Sequence, residues 1–149
     1  MKIVLAADHA GFPLKEKIKE KLLQEGYDIL DEGTFDTTSV DYPVYGAKAA
    51  RKVASHEVDF GIVCCGSGIG ISIAANKVKG VRAALCHESL SARLAREHNN
   101  ANVLALGARM IGEAVAFDIV QQFLQTPFAG ERHQRRVDLI TEIEENCGK

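Results

Sequence analysis

The clearest chemistry in the sequence is offered by a cysteine that is followed directly by a glycine-rich loop, Cys65 with Gly66, Gly68 and Gly70. Glycines let a ligand approach the backbone closely, and the N–H groups where the next helix starts form an anion site, strengthened by the helix dipole. Those amide dipoles also favour the thiolate form of Cys65. A thiolate can remove a proton from carbon while the amides stabilise the negative oxygen that appears. The segment therefore predicts a base and an oxyanion site within one turn, the combination that enolisation requires.

A dinucleotide-binding loop is the alternative interpretation of the same glycines. Glu88 lies about 20 residues further on, where a ribose-binding acid is expected. However, the third glycine of the G-x-G-x-x-G pattern would fall at position 71, which is Ile71. A chain of 149 residues is also too short for two mononucleotide-binding halves and a substrate domain. We therefore expect no nicotinamide or flavin cofactor.

Short apolar runs alternate with amphipathic stretches along the chain. Strands are predicted at 2–7, 27–30, 59–65, 81–86 and 102–106. Between them, apolar residues recur at helical spacing, for example Leu14, Ile18 and Leu22, and a helix is predicted over 71–77 after the glycine loop. This alternation predicts an α/β fold, a single doubly wound, Rossmann-like domain over 1–149 with a five-stranded parallel sheet and helices on both faces. A helical tail is predicted from about residue 132.

Polar residues cluster where the predicted strands end. These residues are Asp8-His9 after the first strand, the Cys65 loop after the third, His87-Glu88 after the fourth and Gly107-Ala108-Arg109 after the fifth. Open parallel sheets bind ligands at the carboxyl ends of their strands, near a switch in strand order. We therefore expect the reactive groups to concentrate at one edge of the sheet.

Composition narrows the class of protein. The net charge is −2 and 46% of the residues are hydrophobic, the ordinary balance of a globular chain, so no nucleic-acid partner is expected. No apolar run approaches the roughly 20 residues that span a bilayer, and the first strand reaches charged residues too soon for a signal peptide. We therefore expect a cytoplasmic protein with no membrane partner. The chain has four cysteines, Cys64, Cys65, Cys86 and Cys147. Their spacing to one another and to histidines is not that of zinc ligands, so no metal site is expected.

Two further groups of residues have both a structural and a functional interpretation. His98 ends a predicted helix, where a histidine is more often structural, although the helix C-terminus favours the protonated form that an acid needs. Arg132 and Arg136 are four residues apart, so on a helix they share one face and can bind one phosphate. A solvated charged turn is the alternative for the two arginines.

Several motifs follow one another in the order found in a known family. They are Asp8-His9-Ala10-Gly11, Asp41-Tyr42-Pro43, the string from Cys65 to Lys77, His98-Asn99, Asn102-Val103-Leu104, Gly107 with Arg109, and Arg132-His133 with Arg136. Over nearly the whole chain they resemble type B ribose-5-phosphate isomerase, which is related to the subunits of galactose-6-phosphate isomerase. The resemblance implies an aldose–ketose isomerase of the pentose phosphate pathway that interconverts ribose 5-phosphate and ribulose 5-phosphate. It also implies that no metal or organic cofactor takes part.

The resemblance implies roles for the matched residues. Cys65 would be the base that moves a proton between C1 and C2 through a cis-enediolate, and His98 would open the furanose ring. The enediolate would be held by the backbone amides of Gly66, Ser67, Gly68, Ile69 and Gly70. The sugar phosphate would be bound by Asp8 at its hydroxyls, by His9, Arg132 and Arg136 at its phosphate, and by Asn99 and Arg109, which complete the pocket.

Family members that use a glutamate base carry it just after the third loop glycine, where this chain has Ile71, so the chain resembles the cysteine-dependent kind. It departs from the family pattern in having Ser67 where threonine is common and Glu131 where glycine is common. The resemblance further implies active sites at the subunit interface of a homodimer or a dimer of dimers. Two alternatives stay open: a six-carbon substrate such as allose or galactose 6-phosphate, and a nucleotide- or flavin-binding module without catalysis.

Overall fold

Strands and helices alternate along the chain, as the hydrophobic pattern predicts. In the computed structural model, which describes residues 1–147, the strands are β1 (Lys2–Ala7), β2 (Asp28–Asp31), β3 (Phe60–Cys65), β4 (Ala83–Leu85) and β5 (Val103–Gly107). The helices are α1 (Phe12–Gln24), α2 (Tyr42–Ala54), α3 (Ile69–Ala75), α4 (Ser89–Asn99), α5 (Glu113–Gln125) and α6 (Arg132–Asn146). Within residues 1–147, no helix combines the length and the apolar character needed to cross a membrane.

The strands form one parallel sheet in the order β2-β1-β3-β5-β4. The strand order therefore reverses between β1 and β3, which are neighbours. Ala7 pairs with Cys64, and Cys65 pairs with Gly107, so the carboxyl ends of β1, β3 and β5 lie side by side. Ligands of such sheets bind beside this reversal. The predicted α/β fold with a five-stranded parallel sheet is confirmed.

Helices cover both faces of the sheet because successive residues of a strand point to opposite faces. In β1, Ile3 and Leu5 pack against α1, α4 and α5, whereas Val4 and Ala6 pack against α2 and α3. All four of these side chains are fully buried. Burial on both faces explains why the strands are almost continuously apolar in sequence.

Two elements differ from their predicted bounds by more than one residue. β4 is shorter than the predicted strand 81–86, because the N–H of Arg82 donates to the side-chain oxygen of Asn102 instead of joining the ladder. Helix α3 begins at Ile69, earlier than the expected start at residue 71, because Gly68 precedes it in the left-handed conformation with φ of 77°. A glycine readily adopts this conformation, which lets the chain turn into a helix directly after the strand.

Helix α6 lies against α4 but buries little of its own surface. Val137 is its buried residue, and the carboxylate of Glu144 accepts a hydrogen bond from the N–H of Gly80. Ile140 and Ile143 stay 44% and 69% exposed. They line an open groove of about 690 Å³ between α6, β4 and the loop after α3. The helix therefore presents an uncovered apolar face.

Candidate active site

The thiol of Cys65 lies at the carboxyl end of β3, beside the reversal of strand order. Its Sγ accepts a hydrogen bond from the N–H of Gly68 at 3.1 Å, and the residue is only 4% exposed. The amide dipole of Gly68 is therefore directed at the sulfur. The loop thus holds a potential base with an amide donor already beside it.

Two glycines of the loop are required by close packing. A Cβ on Gly68 would lie 2.5 Å from Leu85 Cδ1, and Gly68 also has a positive φ. A Cβ on Gly70 would lie 2.6 Å from the ring of Tyr42, which begins α2. Because neither position has room for a side chain, the loop backbone stays close to the sheet edge and to Tyr42.

Asp8 and His9 lie at the end of β1, next to the cysteine loop. Asp8 is 6% exposed, and its Oδ1 accepts a hydrogen bond from the N–H of Gly11 at 2.9 Å. Nδ1 of His9 lies 3.1 Å from the backbone nitrogen of Val40 and 3.3 Å from its carbonyl oxygen. With Nδ1 occupied in this way, Nε2 of His9 is the ring nitrogen left for a ligand.

These residues surround a cleft of about 310 Å³. Its volume is at the lower end of the range for small-molecule sites. The guanidinium of Arg109 lies against Gly66, where an added Cβ would be 2.9 Å from Nη1, and it gives the cleft a fixed positive charge. The cleft is lined by Asp8, His9, Ala10, Tyr42, Cys65, Gly66, Ser67, Gly70, Arg109 and Met110.

The predicted loop residues do not all face the cleft. Gly66, Ser67 and Gly70 line it, whereas Gly68 contributes the N–H that reaches Cys65. The side chain of Ile69 is 51% exposed and lies outside the residues that line the cleft. The backbone of Ile69 is tied to the loop, because its N–H donates to Ser67 Oγ at 3.2 Å.

A second cluster of predicted site residues forms around the end of α4 and the start of α6. The rings of His98 and His133 stack with 4.3 Å between their centroids and 9° between their planes. The pKa of His133 lies below its ordinary value, because loss of hydration and the charges of His98, Arg132 and Arg136 disfavour its protonated form. The cluster is cationic, which suits a phosphate ligand.

Within one protomer the two clusters lie at opposite edges of the sheet, the Cys65 cluster at the carboxyl ends of the strands and the His98 cluster at their amino ends. Helix α4 runs back from the carboxyl end of β4, so His98 and Asn99 in its last turn are near the start of β5. Cys65 pairs with Gly107 at the other end of β5, four residues further along, which is roughly 13 Å of strand. A single chain therefore brings Asp8, His9, Arg109 and the Cys65 loop together, but not His98, Asn99, Arg132 or Arg136.

The neighbouring cysteine has a different environment. Burial raises the pKa of the Cys64 thiol to about 12, because its side chain points into the core on the opposite face of β3. A thiol with such a pKa stays protonated at neutral pH and does not act as a base. Among residues 1–147, no group of three or more His, Cys, Asp or Glu side chains is arranged to hold a metal ion.

Sequence reasoning left some residues out of the candidate site. Tyr42 lines the cleft, but in the sequence its position directly before Pro43 is equally compatible with packing at a helix start. Met110 follows Arg109 and lines the cleft, but no pattern in the sequence marks it. His133 stacks on His98, a contact between distant parts of the chain that only the packing of α6 reveals.

Comparison with known proteins agrees with this architecture. The family model described as Ribose/Galactose Isomerase matches residues 3–140. Ribose-5-phosphate isomerase B of Escherichia coli is 48% identical over 144 residues, which are 97% of each chain. The structure of ribose-5-phosphate isomerase B from Clostridium thermocellum superposes with a TM-score of 0.96 at 53% identity, covering 97% of this chain and 98% of that one.

A further structure in the comparison contains a sugar phosphate. Ribose-5-phosphate isomerase B from Mycoplasma genitalium, solved with bound ribulose-5-phosphate, superposes with a TM-score of 0.92 at 42% identity and covers 97% of both chains. The similarity to these proteins extends over almost the full length on both sides. The chain therefore belongs to the Ribose/Galactose Isomerase family.

Proposed function

We propose that the protein interconverts ribose 5-phosphate and ribulose 5-phosphate, with Cys65 as the base. The observation that carries the proposal is the position of the Cys65 sulfur, which lines a cleft and accepts the N–H of Gly68 at 3.1 Å. The family and the relatives named as ribose-5-phosphate isomerase B support the choice of reaction.

The proposed chemistry is a proton transfer between adjacent carbons. The Cys65 thiolate removes the proton from C2 of the open-chain aldose, and the electron pair moves onto the C1 carbonyl oxygen to form the cis-enediolate. The amides of the loop stabilise that oxygen. A proton then passes from the C2 hydroxyl to the C1 oxygen. The new thiol returns its proton to C1 as the C2 oxygen becomes the ketone, which restores the thiolate and leaves the net charge unchanged. Asp8, buried beside the loop, supplies a free carboxylate oxygen for the sugar hydroxyls.

Phosphate binding is proposed at the cationic side of the cleft. His9 and Arg109 line it within the same protomer as Cys65. Arg132 and Arg136 lie one turn apart at the exposed start of α6, at the other edge of the sheet. Arginine is well suited to phosphate because its fork of N–H donors can bind two oxygens at once.

A homodimer is proposed because one protomer does not unite the two clusters. If a second copy presents its His98, Asn99, Arg132 and Arg136 to the cleft, each active site contains residues of both chains. The exposed apolar residues near the cleft and on α6 support such an interface, since a twofold contact would cover them: Ile69, Ile73, Leu90, Met110, Ile140 and Ile143.

The proposed role of His98 is to open the furanose ring before the proton transfer. It would donate a proton to the ring oxygen while the C1 hydroxyl loses its proton to solvent water, giving the open-chain aldehyde, and solvent would then reprotonate His98. The position of its ring supports this role, because His98 lies at the C-terminus of α4, is 38% exposed and contacts Glu97 and His133.

A six-carbon sugar phosphate is the second candidate substrate, favoured by the inclusion of galactose in the family description. The direct test measures kcat/KM for ribose 5-phosphate, allose 6-phosphate and galactose 6-phosphate with the wild-type protein and no added metal. We expect ribose 5-phosphate to have the highest value. A higher value for a six-carbon phosphate would replace the substrate but keep the mechanism. Thermal stabilisation by NAD or FMN, without turnover of any sugar phosphate, would contradict the isomerase.

A further inference from the structure

Lys15 in α1 is a buried cation that the proposed mechanism does not use. Its side chain is 0% exposed, and Nζ lies 2.6 Å from Asp31 Oδ1 and 3.0 Å from Glu16 Oε1. The rings of Phe12 and Phe35 lie 5.5 and 5.1 Å from the ammonium. Burying a lysine is costly, and apolar residues often replace a buried ion pair without loss of stability. Stability alone is therefore a poor explanation for this lysine.

The Lys15–Asp31 ion pair is connected by hydrogen bonds to the end of β1, where the cleft residues Asp8 and His9 follow. Asp31 Oδ1, which binds Lys15, also accepts the N–H of Gly33 at 3.0 Å. The carbonyl of Gly33 accepts the N–H of Ala7 at 2.6 Å, and the N–H of Thr34 donates to the carbonyl of Ala7 at 2.7 Å. Ala7 is the last residue of β1 and immediately precedes Asp8.

The chain segment that follows Asp31 also contacts the cleft residue His9 directly. Residues 32–41 join β2 to α2, and we call this segment the β2–α2 loop. Near its end, the N–H of Val40 donates to Nδ1 of His9 at 3.1 Å. A neutral His9 that accepts at Nδ1 carries its proton on Nε2, so it offers an N–H donor. The loop is thus fixed to β1 at one end and to His9 at the other.

We propose that Lys15 is a positioning residue: through Asp31 and the β2–α2 loop, it fixes the orientation in which His9 presents Nε2 to the substrate phosphate. The inference rests on the proposed function, because it assigns the cleft beside His9 to a phosphate. Lys15 does not touch the substrate. It holds the carboxylate of Asp31, which binds the N–H of Gly33. The β2–α2 loop that contains Gly33 then holds the imidazole of His9 through Val40.

The test is the variant Lys15→Met, which keeps the length of the side chain and removes the charge. Asp31 retains Lys19, whose Nζ lies 2.7 Å from Oδ2, so no carboxylate is left without a cation. We expect KM for ribose 5-phosphate to rise by at least about 10-fold and kcat to change little, because a misplaced phosphate ligand weakens binding more than chemistry. Lys15→Gln is the second variant, in case the methionine variant does not fold.

Lys19→Met is the matched control. Lys19 contacts the same carboxylate but through Oδ2, and its side chain is 26% exposed. Because Oδ1 would still be held between Lys15 and Gly33, we expect KM to stay within about twofold of the wild-type value. An equal rise of KM in Lys19→Met and Lys15→Met would show that loss of any cation near Asp31 is enough, and it would overturn the specific role of Lys15.

A double-mutant cycle with His9→Ala separates positioning from general destabilisation. If Lys15 acts through His9, adding Lys15→Met to His9→Ala should raise KM by less than about twofold further. The proposal would be refuted if the two substitutions raised KM independently, so that their fold-changes multiplied in the double variant. A wild-type KM in Lys15→Met would also refute it. The same cycle is measured as the dissociation constant of inorganic phosphate. That second readout still tests Lys15 if the wild-type protein fails to isomerise ribose 5-phosphate, a result that would refute the proposed function instead.

Discussion

The N–H of Gly68 donates to the sulfur of Cys65 over 3.1 Å, so the loop proposed to receive the substrate oxyanion also contacts the proposed base. In the proposed enolisation the negative charge leaves sulfur and appears on oxygen. If both atoms lie within reach of the same amide dipoles, little reorganisation accompanies this movement of charge.

Replacing Cys65 by alanine is expected to lower kcat by about 100-fold to 10,000-fold, the usual contribution of a general base, and to leave the fold intact. Turnover of ribose 5-phosphate and circular dichroism melting are the measurements. Cys147→Ser is the control, because Cys147 is exposed and far along the chain from the cleft. Near-normal turnover in Cys65→Ala would eliminate Cys65 as the base.

Gly70→Ala tests the close approach of the loop to Tyr42. The added Cβ would meet the Tyr42 ring at 2.6 Å, so the loop or the ring must move, and we expect kcat/KM to fall by about 10-fold. Gly112→Ala is the matched control: it has a φ of −80°, and its Cβ would meet nothing within 4 Å. Equal activity of the two variants would mean that the contact with Tyr42 does not position the site.

The sequence was sufficient to predict the fold and one half of the candidate site. Asp8, His9 and the Cys65 loop follow apolar strands directly, so the parallel sheet necessarily brings them to one edge. His98 and Arg132 lie on helices whose placement depends on tertiary packing, and no local pattern shows that they lie at the other edge. The stacking of His133 on His98 and the contacts of Lys15 are likewise long-range, so spacing along the chain does not reveal them.

Subunit complementation tests whether each site combines residues of two chains. Cys65→Ala and His98→Asn protomers are each expected to be inactive alone with ribose 5-phosphate. After mixing and refolding, a mixed dimer has one site with the intact cysteine of one chain and the intact histidine of the other. Random pairing should restore about one quarter of the wild-type activity, since half of the dimers are mixed and half of their sites are intact.

The control for complementation is a mixture of Cys65→Ala with Asp8→Asn protomers. Asp8 lies in the same cleft as Cys65, so a mixed dimer has no site with both residues intact. This mixture should stay inactive. Recovery in the control, or none with His98→Asn, would show that Cys65 and His98 do not meet across a subunit interface.

Ring opening and proton transfer are separable with a substrate that has no ring. Ribulose 5-phosphate cannot close a furanose because its C5 oxygen is esterified. His98→Asn should therefore lose most turnover of ribose 5-phosphate but still exchange the C1 hydrogen of ribulose 5-phosphate with deuterium from solvent, as followed by proton NMR. Cys65→Ala should lose both activities. Loss of exchange in His98→Asn would assign His98 to the proton transfer itself.

The buried carboxylate of Asp31 predicts a loss of stability in acid. Burial raises its pKa, but hydrogen bonds from Lys15, Lys19 and the N–H of Gly33 outweigh burial, and the net pKa lies below the ordinary value. A depressed pKa contributes stability above the unfolded-state pKa of about 3.9, and this contribution disappears as pH falls through the folded-state pKa. The difference in unfolding free energy between wild type and Asp31→Asn, measured with urea, should be constant above about pH 5 and shrink below about pH 4.

The same measurement on Glu57→Gln, an exposed partner of Lys52, should show a much smaller change because solvent screens that pair. A difference for Asp31→Asn that persists unchanged at pH 2 would mean that its ionisation does not stabilise the fold.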